Sequence, residues 1–89
     1  MIQIHNKSTY NRIYNRYSAE FIDAYCTYKI NGQETKDALI SAKIIVQATV
    51  SLELTSNNPN KKIILKAYKN INNDTKLIEK AIKYYQGLK

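Results

Sequence analysis

The sequence predicts an all-α protein, built either as a small antiparallel four-helix bundle or as two stacked helical hairpins. In four successive segments apolar residues recur every three or four positions, and the short connections between them hold helix-ending or helix-capping residues. Short connections usually place consecutive helices antiparallel. A chain of 89 residues is also long enough for only one modest core. We therefore expect a single domain over residues 1–89, with residues 1–7 as a flexible arm.

Six aromatic side chains mark the first predicted helix, at spacings of three and four residues. They are Tyr10, Tyr14, Tyr17, Phe21, Tyr25 and Tyr28. At 100° per residue they fall, together with Ile13 and Ala24, within an arc of about 120°, which is one face of a helix. Asn31 and Gly32 supply the left-handed residue that often ends a helix, so we expect a helix over about 10–30. The alternative is a β-hairpin that turns at Asn31-Gly32 between residues 26–30 and 33–36.

The second segment, residues 35–55, fits two periods. From Val46 to Leu54 apolar and polar residues alternate strictly, which is typical of a strand, whereas the whole segment also covers one broad helical arc. The strand interpretation gives an α+β fold with a β-hairpin at about 44–55 and 62–69. We favour the helix because the next segment is helical and leaves the strand without a partner. Since Ile40 and Ile44 lie opposite its main apolar face, we expect this helix to be the central one.

Two shorter helices are predicted in the last third of the chain. Asn58 and Pro59 are expected to open the third helix as N-cap and first-turn proline. Residues 72–74 then break the chain and offer caps, and the fourth helix ends near Gly87. The predicted inward residues are Ile63, Ile64, Ala67, Tyr68, Ile71, Leu77, Ile78, Ala81, Ile82, Tyr84 and Tyr85.

Positive charge is concentrated on the outer faces of these two helices. The formal net charge is +7, and residues 57–89 hold eight lysines against two acids. The predicted basic face consists of Lys61, Lys62, Lys66, Lys69, Lys76, Lys80 and Lys83. Such clustering predicts non-specific contact with phosphates or with an acidic protein surface, and the alternative is an ordinary solvated face. Twelve lysines against two arginines argue against base-specific readout.

Codon usage offers another explanation for some of this composition. Ile, Lys, Asn and Tyr, which have A/T-rich codons, supply 43 of the 89 residues. We therefore expect an AT-rich source genome, such as that of a phage, a plasmid or another mobile element. Because this bias raises tyrosine and lysine counts everywhere, only the placement of these residues is informative.

Two further surfaces of the first helix are candidate contact sites. The aromatic face is expected to be mainly core, with Tyr10, Tyr14 and Tyr17 as candidate aromatic contacts if rings at its rim stack on a single strand. A second, thinner apolar stripe is turned away from the rings. This second stripe consists of Ala19, Ile22, Cys26 and Ile30. It predicts either a homodimer or a closely fitting protein partner.

The residue inventory argues against an enzyme. The sequence has one histidine, one cysteine and two glycines, so we expect no catalytic residues, no metal site and no cofactor. The single cysteine, Cys26, excludes an intramolecular disulfide and suits a reducing compartment, so we expect a cytoplasmic protein. We expect no integral membrane insertion, because no stretch approaches about 20 continuous apolar residues.

These observations favour a small basic non-enzymatic binding protein, an accessory inhibitor or regulator of the phage or plasmid type. It would dock on a nucleic-acid-handling partner, or on that partner's polyanionic site, through the predicted basic face. In length, charge and four-helix plan the chain also resembles the small helical-bundle immunity proteins that protect bacteria from their own bacteriocins. That resemblance implies the alternative function of a protein-only interaction module, in which the lysines are incidental.

Overall fold

Over residues 2–88 the protein is all-α and consists of four helices. A computed structural model describes residues 2–88, with side chains described for residues 7–88. The helices are α1 (Ile2–Ile30), α2 (Thr35–Thr55), α3 (Lys61–Asn72) and α4 (Thr75–Leu88). The predicted fold class is confirmed. Both β-hairpin alternatives, the one turning at Asn31-Gly32 and the one over 44–55 and 62–69, are wrong.

The end of α1 agrees with the prediction, whereas its start does not. The helix begins at Ile2 rather than near Tyr10, since residues 2–9 contain no glycine or proline that would break it. At the other end Gly32 has φ +98°, its N–H donates to the Lys29 carbonyl, and the Gln33 N–H donates to the Tyr28 carbonyl. This Schellman arrangement confirms the predicted helix end. The side chains of residues 1–6 lie outside the described part of the structure. The expected flexibility of residues 1–7 therefore stays a prediction.

The central helix is α1, not α2 as the sequence suggested. A 29-residue helix is about 43 Å long, and the longest dimension of the molecule is 44 Å. Each of the other helices packs against α1, whereas α2 packs against α1 and α3. The face that α2 buries is a row of small residues at four-residue spacing: Ala38, Ala42, Val46 and Val50. Its larger residues Ile40 and Ile44 point away from α1 and remain exposed.

Contacts along α1 place the last two helices. The first turns of α3 lie beside Arg16, and Asn70 near its end contacts Tyr10. Asp74, just before α4, contacts Tyr14, and Tyr85 packs edge-to-face on Tyr25 at 6.2 Å between ring centroids. Helix α4 therefore runs in the same direction as α1. Helices α3 and α4 therefore both lie along α1, in opposite directions, and pack on α1 rather than on each other.

The connections show which predicted caps form. Helix α3 begins at Lys61, so Pro59 precedes the helix, and the Asn58 side-chain oxygen accepts from the Asn60 N–H at 2.8 Å. The prediction that Asn58 caps α3 is therefore wrong, because its side chain closes the turn before the helix. The Asp74 carboxylate accepts the Leu77 N–H at 3.2 Å, which confirms a cap at the start of α4.

The core confirms the aromatic face of α1 as the inward face. Tyr17, Phe21 and Tyr25 are each at most 2 % exposed. Ala67 of α3 and Ala81 of α4 are fully buried in the same core cluster as these rings. Large rings on one helix therefore fill the space left by small side chains on its neighbours.

Within residues 2–88, α2 is the one helix long and apolar enough to cross a membrane, judged by length and composition. The same test is passed by core helices of soluble proteins and by signal sequences. The expected lack of membrane insertion and the expected cytoplasmic location therefore stay predictions.

Candidate functional site

All seven lysines of the predicted basic face are exposed. Helix α3 buries Ile64, Ala67 and Ile71 at spacings of three and four, which turns its lysines toward solvent. Helix α4 does the same by burying Leu77 and Ala81. Among the residues whose side chains are described, the single salt bridge joins Arg16 and Glu53 at 2.5 Å. Within that part of the chain, no lysine of α3 or α4 lies within salt-bridge distance of an acid, and Lys76 is near enough to Asp74 to help lower the pKa of that carboxyl.

Two tyrosines of α1 lie where the lysine-bearing helices meet. The rings of Tyr10 and Tyr14 are stacked, with centroids 5.8 Å apart and planes inclined by 28°. On the α3 side, the Lys66 Nζ lies 5.7 Å from the centroid of the Tyr10 ring. On the α4 side, Lys76 and Lys80 line a groove of about 230 Å³ together with Tyr14. We call the seven lysines with Tyr10 and Tyr14 the lysine–tyrosine surface.

Hydrogen bonds fix both tyrosine hydroxyls of this surface. The Tyr10 hydroxyl accepts from the Asn70 side-chain amide at 2.6 Å, and the Tyr14 hydroxyl donates to the Asp74 carboxylate. Burial, reinforced by the bond to Asp74, raises the pKa of Tyr14 to about 12. The same bond is the main cause that lowers the pKa of Asp74. At neutral pH the phenol therefore stays protonated and the carboxylate stays ionised, which holds α1 to the start of α4.

Tyr17, the third candidate aromatic contact, does not belong to this surface. Its side chain is fully buried, and its hydroxyl donates to Glu53 on α2. Burial is the largest cause that raises the Tyr17 pKa, followed by the bond to Glu53. Because no ligand can reach this ring in the folded protein, the prediction of a Tyr17 contact is wrong.

The second stripe of α1 does not form one open surface. Cys26 is 5 % exposed and Ile22 is half-buried, whereas Ala19 and Ile30 are exposed. Helix α4 covers part of the stripe, and Tyr84 lines a groove of about 240 Å³ with Ala19 and Ile22. Burial also raises the pKa of the Cys26 thiol. The parallel path of α4 along α1 separates these four residues, which sequence spacing alone placed together.

Two further surfaces were missed by the sequence argument. The outward side of α2 exposes large apolar residues that were expected to be enclosed, including Ile40, Ile44 and Leu52. A cleft of about 370 Å³ lies beside α1, and both arginines of the chain line it. The available signal for the cleft was the spacing of Arg12 and Arg16, which places them one turn apart on the same side of a helix.

Known proteins give no further guide to these surfaces. Comparison of the chain with protein-family models, curated proteins and solved structures finds no match. No group of three or more histidine, cysteine, aspartate or glutamate residues in the described part of the chain could hold a metal ion. The function is therefore inferred from the shape and charge of this chain's own surfaces.

Proposed function

We propose that this protein is a small non-enzymatic binding protein that docks on a polyanionic partner through the lysine–tyrosine surface. The observation that carries the proposal is the convergence of exposed lysines from α3 and α4, none of them in a salt bridge with a described residue, on the Tyr10–Tyr14 pair. Its partner is a nucleic acid or a protein that handles one. By covering the partner's phosphates or its polyanionic site, the protein acts as an inhibitor or regulator.

The chemistry of this surface favours contact with phosphate backbones. A lysine ammonium is a compact point charge on a flexible stem, so it neutralises phosphates without reading bases. Each phosphate that is neutralised releases bound counterions, which is favourable at low salt. The stacked tyrosines add a planar apolar area beside the charges, and such an area suits the bases of a single strand. We therefore expect binding with little sequence preference.

Fluorescence anisotropy with labelled single- and double-stranded oligonucleotides at 50 and 200 mM salt tests this proposal. If about four phosphates are contacted, the affinity should fall on the order of 100-fold between the two salt concentrations. Binding that is absent at low salt, or that does not change with salt, would exclude phosphate contact by the lysines.

A protein-only interaction module, of the kind the immunity proteins represent, is the second candidate function. The observation that favours it is the outward side of α2, where Leu52 is 73 % exposed and Ile44 is 57 % exposed. No charged residue lies between Lys43 and Glu53 in the sequence. Such an apolar, uncharged face suits the apolar surface of another protein.

Introducing a charge on α2 tests the second candidate. We expect the wild-type protein to capture one host protein from lysate, and Ile44→Lys to lose it because a charge would be buried in the interface. Leu65→Lys is the matched control, since Leu65 is 52 % exposed on α3. Loss of the captured protein in both variants, or in neither, would count against α2 as the contact. Light scattering of the same proteins reports whether the captured partner is a second copy of the chain.

A further inference from the structure

A cleft of about 370 Å³ lies beside α1, and no residue of α4 lines it. It is formed by α1, the end of α2, the connection before α3 and the second turn of α3. Its lining residues are Arg12, Ile13, Arg16, Glu53, Asn58, Asn60 and Ile64. We call it the arginine cleft. Its volume lies within the range of about 300–1,000 Å³ that is typical of small-molecule sites.

Both arginines of the chain lie in this cleft, although lysine outnumbers arginine twelve to two overall. The guanidinium group is a planar fork of N–H donors that binds two oxygens of one anion, which a lysine ammonium does not do. Arg12 and Arg16 are one turn apart on α1, so their side chains can reach the same ligand. Their placement is therefore informative in a chain that uses lysine for nearly all its other positive charges.

Arg16 is held in position by Glu53. Its Nη2 donates to the Glu53 carboxylate at 2.5 Å, and its Cζ lies 5.4 Å from the centroid of the Tyr17 ring. The other carboxylate oxygen of Glu53 accepts from the Tyr17 hydroxyl. Because both oxygens of Glu53 are bonded and its charge is balanced, the acid orients Arg16, and the guanidinium N–H groups not directed at Glu53 or at the Tyr17 hydroxyl are left for a ligand.

The other polar groups of the cleft are also mainly donors. Arg12 is exposed and has no hydrogen bond or ion pair with the other residues whose side chains are described. The Asn58 side-chain oxygen is used by the Asn60 N–H, so the Asn58 side-chain amide hydrogens are left to donate. Below them lie Ile13 and Ile64, which are 4 % and 1 % exposed. The cleft thus combines unused donors with an apolar floor.

We propose that the arginine cleft binds a phosphate monoester, which is either a free nucleotide or the phosphorylated end of a nucleic-acid strand. Arg12 and Arg16 approach from α1 and Asn58 from the connection before α3, so three donor groups are available for the three terminal oxygens of a tetrahedral phosphate, one more than a planar carboxylate offers. The apolar floor of Ile13 and Ile64 takes the organic part of the ligand. The proposal stands apart from the lysine–tyrosine surface, because it uses different residues and a different ligand group.

Two titrations test the cleft, and each compares a ligand with the same ligand lacking its phosphate. The first measures adenosine 5′-monophosphate against adenosine by calorimetry. The second measures an oligonucleotide with a 5′-phosphate against the same strand with a 5′-hydroxyl. Arg12→Gln should weaken binding of the phosphorylated ligand on the order of 10-fold, the effect of losing a charge-assisted hydrogen bond. Lys43→Gln is the control, since it removes one exposed positive charge from α2, outside the cleft.

The outcomes separate the sources of the phosphate and separate this proposal from the first one. Tighter binding of the nucleotide than of adenosine, lost in Arg12→Gln, supports a free nucleotide. A 5′-phosphate preference that Arg12→Gln removes supports a strand end. Absence of any phosphate preference, or equal effects of Arg12→Gln and Lys43→Gln, overturns the proposal. Salt-dependent binding of the 5′-hydroxyl strand reports on the lysine–tyrosine surface alone.

Discussion

Replacing Tyr17 with alanine should lower the free energy of unfolding by about 3–5 kcal/mol, the usual cost of removing a buried aromatic ring. The ring is fully buried among the residues of the core, so the substitution leaves a cavity that the helices cannot easily close. Glu53 also loses one of its two hydrogen-bond donors. Urea denaturation followed by far-UV circular dichroism measures the change, and a domain of this size has little stability to spare.

Tyr17→Phe is the matched control, because it keeps the ring and removes only the hydroxyl. It should cost about 1–2 kcal/mol, since a hydrogen bond to a carboxylate is lost while Arg16 still pairs with Glu53. Similar losses in the two variants would show that the hydroxyl dominates, contrary to the role in core packing that we assign to the ring.

Reversing the charge at one lysine position on each of α3 and α4 should abolish most of the binding to nucleic acid. In the variant with Lys66→Glu and Lys80→Glu, the charges beside Tyr10 and Tyr14 become repulsive to phosphate. Loss of about two phosphate contacts predicts a fall in affinity on the order of 10–100-fold and a shallower dependence on salt. Anisotropy titrations of the variant and the wild-type protein at several salt concentrations measure both quantities.

The control for this variant carries Lys36→Glu and Lys43→Glu on α2. Each double variant lowers the formal net charge by 4, from +7 to +3, so the two differ only in where the charge is changed. Circular dichroism checks that both variants remain helical. Equal losses of affinity in the two variants would mean that net charge alone drives binding, and the lysine–tyrosine surface would then have no special role.

Helical periodicity predicted the four helices because each has one face that must be buried. The row of rings in α1 and the apolar residues of α3 and α4 repeat at three and four, and the structure turns those faces inward, except that Tyr84, predicted to face inward, is 59 % exposed. The end of α1 was also predictable, because a residue with positive φ favours glycine and Gly32 is the one available nearby. The start of α1 was not, since good N-cap residues can equally lie inside a helix.

In helix α2, the hydrophobicity of the residues did not predict which face is buried. Its largest apolar residues suggested burial on all sides, yet the residues that face α1 are Ala38, Ala42, Val46 and Val50. Small side chains let two helices approach closely, and the rings of α1 already fill the space between them. Shape complementarity therefore selected the buried face, and shape is a property of the pair of helices rather than of α2 alone.

The candidate sites also contain some features that the sequence predicts and others that depend on tertiary contacts. The exposure of the lysines could be predicted, because a lysine on the helix face opposite a buried apolar face points into solvent. The position of the Tyr10–Tyr14 pair beside those lysines could not be predicted. It depends on the contact between Tyr14 and Asp74, which lie 60 residues apart and meet only because α4 begins beside the middle of α1. The arginine cleft likewise needs the connection at Asn58 to return to α1.

The sequence by itself determined the fold class, the inward face of α1 and the outward position of the lysines. These features follow from the chemistry of residues three or four positions apart, which each helix fixes locally. Only the tertiary structure decided that α1 is central, that Cys26 is buried, and that Arg12 and Arg16 share a cleft with Asn58. Periodicity shows which face of a helix must be covered, whereas the neighbour that covers it is chosen by packing between distant segments.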